Sequence, residues 1–214
     1  RSMMRNKIRT AFLFIGIMFT FSLLALPWSF KVLTDQMLFE QYEKNETYDV
    51  KLPLAAPADS ARAENELARF PGVKTVESMA EIPVTLNHSW LEKDAVLLGI
   101  RVDSGLYHIR DSEDKDITVP DNGILISRRL ADHLQAEPGT LLSVESSLLK
   151  DPDERKTLPV VGIIQQNVGM NAYMEINALQ DFVGQGNLAT SIMLSIDEKS
   201  IPLLEAEYND SKMV

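Results

Sequence analysis

From Ala11 to Phe30 the chain reads AFLFIGIMFTFSLLALPWSF, 20 positions without a charge. As a helix rising ~1.5 Å per residue, such a run covers roughly the 30 Å hydrocarbon core of a bilayer, so the pattern predicts a transmembrane helix over 11–30. Residues 1–10 form a basic lead, with Arg1, Arg5, Lys7 and Arg9 and no acid among them. The positive-inside tendency then puts the N-terminus in the cytoplasm and everything after Lys31 outside. Trp28 and Phe30 fall at the outer boundary, where aromatic rings favour the interface. A cleaved secretory signal has the same order of basic and apolar regions. Against it, the apolar run is long for a signal, and Pro27 follows Ala25 and Leu26 where a small-residue cleavage site would end. A soluble core helix that is apolar all round would need a very large core.

Beyond Pro27 the pattern turns amphipathic. Phe30, Leu33, Met37 and Phe39 alternate with Lys31, Asp35, Gln36, Glu40 and Glu43, which predicts a stalk helix over 31–47. Pro27 kinks it at most, because neighbours in a membrane can accommodate a proline. From Tyr48 the period changes. Strand-like runs at 48–54, 73–76, 82–86, 95–102, 124–126, 140–144, 158–164, 173–176 and 191–196 alternate with short helices. One helix starts at Asp59 or Ser60 and stops at Pro71 and Gly72. A second is capped by Ser127, runs to Leu134 and ends before Pro138 and Gly139. A third is capped by Asn177, with Gln180 at capping-box spacing and Gly184 as its stop. The fold class is therefore α+β: an N-terminal transmembrane and stalk helix, then one mixed α/β extracytoplasmic domain over 48–199. Residues 200–214, SIPLLEAEYNDSKMV, read as the start of a helix returning towards the membrane.

Composition narrows what such a chain can do. Its 214 residues, 45% apolar and 24% charged, are enough for one substantial core plus a membrane segment. Of 21 basic residues four sit in the lead, leaving 17 against 31 acids, a net charge of −14 over the remainder. That field repels nucleic acid, and no basic stripe offsets it. With no cysteine, disulfides, thiolate nucleophiles and cysteine zinc sites are excluded. The chain begins at Arg1 and ends at Val214 within a polar stretch, and is expected to be a segment of a longer protein.

Candidate chemistry is sparse. His88, His108 and His133 are isolated, with neither HExxH nor a carboxylate pair near them. No GxSxG surrounds a serine and no GxxxxGK[ST] occurs, so neither a nucleophile elbow nor a P-loop is present. The acidic run Asp111–Asp116 offers Asp111, Glu113 and Asp116 as calcium ligands, but its sixth position is Asp116 rather than glycine and its twelfth is Asn122 rather than glutamate. It reads as a solvated loop. Asn45, Asn87 and Asn209 open N-x-[ST] triplets, which bear on function only in a glycosylating pathway. The segment 160–176 places Gly162, Gly169, Met170 and Met174 around an Asn-rich loop, either as core filler or as an adaptable binding surface. No catalytic, cofactor or metal residue is assigned.

The order of local phrases resembles the FtsX/MacB-like ABC transporter permease family. RNKIRTAFLFIGI (5–17) is similar to its basic lead and first membrane helix, and FPGVKTVESMAEIPVTL (70–86) to its PGV-centred turn and strand. GILISRRLADHLQAEPGTLLSV (123–144) is similar to its strand, helix, turn and strand, with Ala136, Glu137, Pro138 and Gly139 where the family shows a Gly-Asp pair. VVGIIQQNVGMNAYMEINALQDFVG (160–184) is similar to its closing element. The resemblance implies a domain like the MacB-like periplasmic core domain on a permease in the cell membrane, with ATP hydrolysis on a separate ATP-binding cassette subunit and no enzyme chemistry or cofactor here. It implies as partners that subunit, a second permease half or a homodimer partner, membrane lipid, and an extracytoplasmic adaptor or a cell-wall hydrolase. Lipids, lipoproteins, antimicrobial peptides or drugs are the cargo it suggests, or none where a hydrolase is activated instead. Two other readings stand beside it: a single-pass membrane-anchored sensor or binding module, and a secreted enzyme, against which the lack of a catalytic constellation counts.

Overall fold

The computed structural model describes residues 7–110, 115–149, 156–164 and 169–208. The chain divides into two units, Arg1–Tyr42 and Glu43–Val214. The first is almost all of one helix, α1 (Lys7–Lys44), 38 residues that pass Pro27 without interruption. Every residue from 11 to 33 is exposed. The polar extension expected beyond the apolar run is helical, but the helix ends three residues short of the predicted 47. Asn45–Thr47 instead pair with a loop of the domain, since Asn45 and Thr47 spend their backbone groups there rather than on a further helical turn.

The second unit contains, in chain order, β1 (Val50–Asp59), α2 (Ser60–Leu67), β2 (Val73–His88), β3 (Leu91–Ile100), β4 (Ile124–Ser127), α3 (Arg128–Leu134) and β5 (Leu141–Glu145). Then come β6 (Lys156–Ile164), β7 (Asn171–Glu175), α4 (Ile176–Val183), β8 (Leu188–Ile196), a 3-10 turn (Glu198–Ser200) and α5 (Ile201–Tyr208). The spatial order is β1-β8-β2-β3-β7-β4-β6-β5, and β5 pairs again with β2. Thr85–Asn87 meet Ser143–Glu145, so β2, β3, β7, β4, β6 and β5 close into a ring. The first half of β2 leaves that ring to form a three-stranded antiparallel sheet with β8 and β1.

The single strand β2 replaces the two runs predicted at 73–76 and 82–86. Glu77, Ser78 and Glu81 look like a polar break but are paired within the sheet. Ser78 N–H donates to Glu64 at 2.9 Å, Glu81 N–H to Thr190 Oγ1 at 2.7 Å, and Lys51 Nζ meets Glu81 at 2.6 Å. Pro83 brings no N–H to the ladder, and falls in the stretch of one flank between the end of β8 pairing at Met79 and the start of β5 pairing at Thr85. β1 runs beyond the predicted Leu54 to Asp59. It tolerates Pro53 and Pro57 because it is an edge strand whose register slips between Pro53 and Ala58.

Inside the ring, Ile82, Val84 and Leu86 of β2 meet Leu97, Ile126, Leu142, Val144 and Ala172, with α3 adding Leu130 and Leu134 and α4 adding Leu179. Gly99 makes room for α4 on β3, since a Cβ there would lie 2.5 Å from Leu179 Cδ2. The other face of β3, β4 and β7 is buried too, by Leu106, Tyr107, Ile109 and Val119 of the β3–β4 connection. Strands covered on both faces read as continuous apolar runs, as ILIS and VLLGI do. A third core holds α2 and α5 on the three-stranded sheet through Ala63, Leu67, Leu204 and Tyr208. The helix expected from residue 200 is thus present, and its buried side is against this sheet.

Two predicted caps take another form. Ser127 precedes α3, but its hydroxyl makes no cap bond and is buried without a partner. Helix α4 starts two residues earlier than expected, so Glu175 caps it by accepting from Ala178 N–H at 2.8 Å, while Asn177 donates to Glu175 at 2.7 Å. Gln180 turns inward and donates to Leu188 O at 3.0 Å, because its position on α4 is buried. The Asp59 cap on α2 and the Gly184 stop of α4, at φ +77°, are as read from the sequence.

Candidate functional site: the apolar helix and the root that follows it

Residues Ala11–Thr34 of α1 make a 24-residue stretch long and apolar enough to cross a membrane, with none of it buried within the protein. No water-facing helix exposes such a run without cost: at ~25 cal/mol per Å² of apolar surface, each large side chain left in water forgoes roughly 1.5–3 kcal/mol. Phe12, Phe19, Phe21, Trp28 and Phe30 are each about 70% exposed. Thr20 satisfies its hydroxyl within the helix by donating to Gly16 O at 2.9 Å, which keeps this face free of an unpaired polar group.

The chain leaving α1 is fixed within the second unit by a short cross-strand arrangement. His108 N–H donates to Asn45 O at 2.7 Å, and Thr47 N–H donates to Leu106 O at 3.0 Å. Thr47 Oγ1 donates to Gly105 O at 3.0 Å, and Glu46 pairs antiparallel with Tyr107. Tyr48 donates its hydroxyl to Glu46. Behind this root, Tyr107 is buried beside Tyr173, ring centroids 6.2 Å apart and hydroxyls 3.4 Å apart. Burial, and then the neighbouring Tyr173, push the Tyr107 phenol well above its ordinary range, so it stays neutral at any physiological pH.

A polar cleft of about 380 Å³ lies between α2, the end of β3 and the start of α4, lined by Glu64, Ser78, Arg101, Asp103, Glu175 and Gln180. Its charged groups have local partners. Glu64 and Glu175 accept backbone N–H groups, and Arg101 meets Asp103 at 3.2 Å. The Arg101 hydrogen bond, more than its charge, holds the exposed Asp103 carboxyl below its usual range. No group of three or more potential metal ligands occurs among the described residues.

His88 Nδ1 lies 2.8 Å from Leu134 O, joining the β2–β3 hairpin to the end of α3, and His133 is exposed on α3. His108 takes part in the root through its backbone. Asp111 and Glu113 lie outside the described residues, whereas Asp116 pairs with Arg110 at 3.4 Å. Met174 is a core residue, 2% exposed, and Met170 is half-buried against the same core, which favours the filler reading; the loop at 165–168 lies outside the described residues. Sequence reading missed Glu77 and the 104–108 loop. The only local signal was the turn-prone triplet Asp103, Ser104 and Gly105.

No family model matches the chain, and no curated protein matches it by sequence. Among solved structures, it is similar in fold to the extracellular domain of the ABC-type transporter YknZ from Gram-positive bacteria. That likeness has 18% identity and a TM-score of 0.49, and covers 77% of this chain and 97% of that one. It is also similar to the periplasmic region of MacB from Actinobacillus actinomycetemcomitans, at 14% identity and a TM-score of 0.48, covering 84% of this chain and 92% of that one.

Proposed function

We propose that the chain is the first membrane helix and extracytoplasmic domain of an ABC transporter permease subunit, driven by a separate ATP-binding cassette subunit. The observation that carries this reading is α1 itself. One helix joins a chargeless membrane-length run to polar turns and to the root at Asn45, in a chain whose phrases follow the order of FtsX/MacB-like permeases. At ~1.5 Å per residue its 38 residues amount to about 57 Å of helix. A helix transmits displacement along its axis because each turn is hydrogen-bonded to the next, whereas a flexible loop absorbs it.

In this account the basic lead stays in the cytoplasm near the ATP-binding subunit, a second permease half or homodimer partner lies beside α1 in the lipid, and the domain works outside on an adaptor, a hydrolase or a cargo. The domain needs no reaction chemistry for this; in the cleft Glu64 accepts the Ser78 N–H of β2 and Glu175 caps α4. A single-pass anchored sensor shares every visible part and differs only in having no ATP-binding partner.

Inserting a flexible Gly/Ser segment next to Asp35 is expected to leave the domain folded and the chain in the membrane. ATP hydrolysis by the partner should continue while the outer function it drives falls at least tenfold. Transport or hydrolase activation at the parent rate in that variant would remove the coupling claim.

A further inference from the structure

Trp90 stands at the tip of the β2–β3 hairpin and is 86% exposed. His88 pairs with Leu91, so Ser89 and Trp90 are the whole loop, and Ser89 holds φ +56°. Two-residue hairpin turns usually give such a position to glycine, asparagine or aspartate. One turn thus combines a strained serine with a large aromatic ring left in water, and folding alone asks for neither. The turn is fixed from both flanks. His88 Nδ1 lies 2.8 Å from Leu134 O, Leu91 packs against the ring core, and Asn87 donates to Glu145 at 3.4 Å.

Trp90 has apolar company. β5 pairs with β2 as far as Asn87–Ser143, and two residues further in the same direction stand Ser89 and Leu141. Leu142 and Val144 lie in the core inside the ring, so Leu141, 62% exposed, is on its outside, where it pairs with Pro159. Val161, 49% exposed, follows beyond the buried Val160 on the same strand. Three of the five large apolar side chains exposed among the described residues of the second unit therefore gather at this end of the ring. A single exposed hydrophobe is ordinary, whereas a cluster around an aromatic ring marks an interaction surface. The exposed charges beside it in the flanking strand and turn are acids, Glu92 on β3 and Glu137 before β5. Lys93 stands opposite the core residue Leu86, on the inner face.

We propose that this end of the ring is a docking surface for a second protein. The partner's contacting face carries an apolar pocket for the Trp90 ring, with lysine or arginine around it to meet Glu92 and Glu137. A tryptophan held in place before contact is the usual anchor of such an interface, and docking orders little that is not ordered already. The same acids repel an anionic lipid surface, and a two-fold pairing of two copies through this patch would set them face to face. Whichever subunit drives α1, the surface is the same.

The test places the photo-crosslinker p-benzoylphenylalanine at position 90 of the intact chain in its native membrane and identifies the linked product by mass spectrometry. One protein is expected, linked at an apolar pocket bordered by lysine or arginine. That protein, purified, is then titrated against the full chain in zwitterionic nanodiscs. Trp90→Ala should weaken binding by about tenfold or more, as should Glu92→Lys combined with Glu137→Lys, while Leu203→Ala on α5 stays within about twofold of the parent. All these side chains are exposed, so the fold is kept. Links to lipid alone, to a second copy, to many proteins without preference or to nothing above the unirradiated control would overturn the proposal. So would an identified protein that loses less than that in either variant. Copurification of an ATP-binding cassette subunit reports on the permease reading and not on this surface, so the two fail separately.

Discussion

Ile17→Lys combined with Leu23→Lys removes the chain from the membrane fraction. Both residues lie within the apolar run of α1 and are exposed, 62% and 53%, so neither supports a core that the change would damage. On insertion scales a lysine at the helix centre costs about 2.5–3.5 kcal/mol, whereas leucine or isoleucine contributes about −0.3 to −0.6. Two exchanges therefore shift the balance by roughly 6–8 kcal/mol. Alkaline carbonate extraction reads the result: the parent stays with the membrane pellet, and the double variant moves to the supernatant. Retention of the double variant would mean that α1 is not what holds the chain to the bilayer.

Leu86→Ala has the largest expected effect on the outer domain. Leu86 is fully buried in the ring core and sits on β2 where that strand pairs with Lys93 of β3 and Val144 of β5, so it lies at the seam where the ring closes. Removing a buried leucine side chain costs about 2–5 kcal/mol, the transfer term plus that of the cavity left behind. Against a total stability of about 5–15 kcal/mol, this is a large fraction. Urea unfolding in detergent, followed by near-ultraviolet dichroism of the buried Tyr107 and Tyr173, should show a lower midpoint at unchanged slope. Leu203→Ala on α5, whose side chain is 61% exposed, should stay within about 0.5 kcal/mol of the parent. Equal effects for the two substitutions would contradict the closed ring as the centre of stability.

What could be read from the sequence was local. The apolar helix needs no knowledge of a partner, because an uncharged run of bilayer length has few other uses. The helices at 60, 128 and 176 were marked by Asp59, by Pro138 with Gly139, and by Gly184, each acting on its immediate neighbours. The rest depends on distant residues. Glu77, Ser78 and Glu81 look like a break in a strand until Ser104, Glu64 and Ser191 are brought to them from 14 to 110 residues away. Closure of the ring by β5 on β2 is likewise a pairing of segments 58 residues apart at Leu86 and Val144, which no window of sequence contains.

The root was illegible for a related reason. Asn45, Glu46 and Thr47 continue the polar pattern of the stalk, and nothing near them announces that their backbone groups will be taken by Gly105–His108. The cap of α4 was misplaced by two residues because Asn177 is the better N-cap by residue type. Ile176 is nevertheless buried as the first helical residue, and that puts Glu175 at the cap. In each case tertiary burial decided between local alternatives.

The account rests most directly on the partner that would drive α1. Expressing the intact parent chain in its native membrane, solubilising it gently and identifying by mass spectrometry what copurifies should recover an ATP-binding cassette subunit in stoichiometric amount. A chain that comes out alone under the same conditions would contradict the permease reading and leave a membrane-anchored sensor in its place.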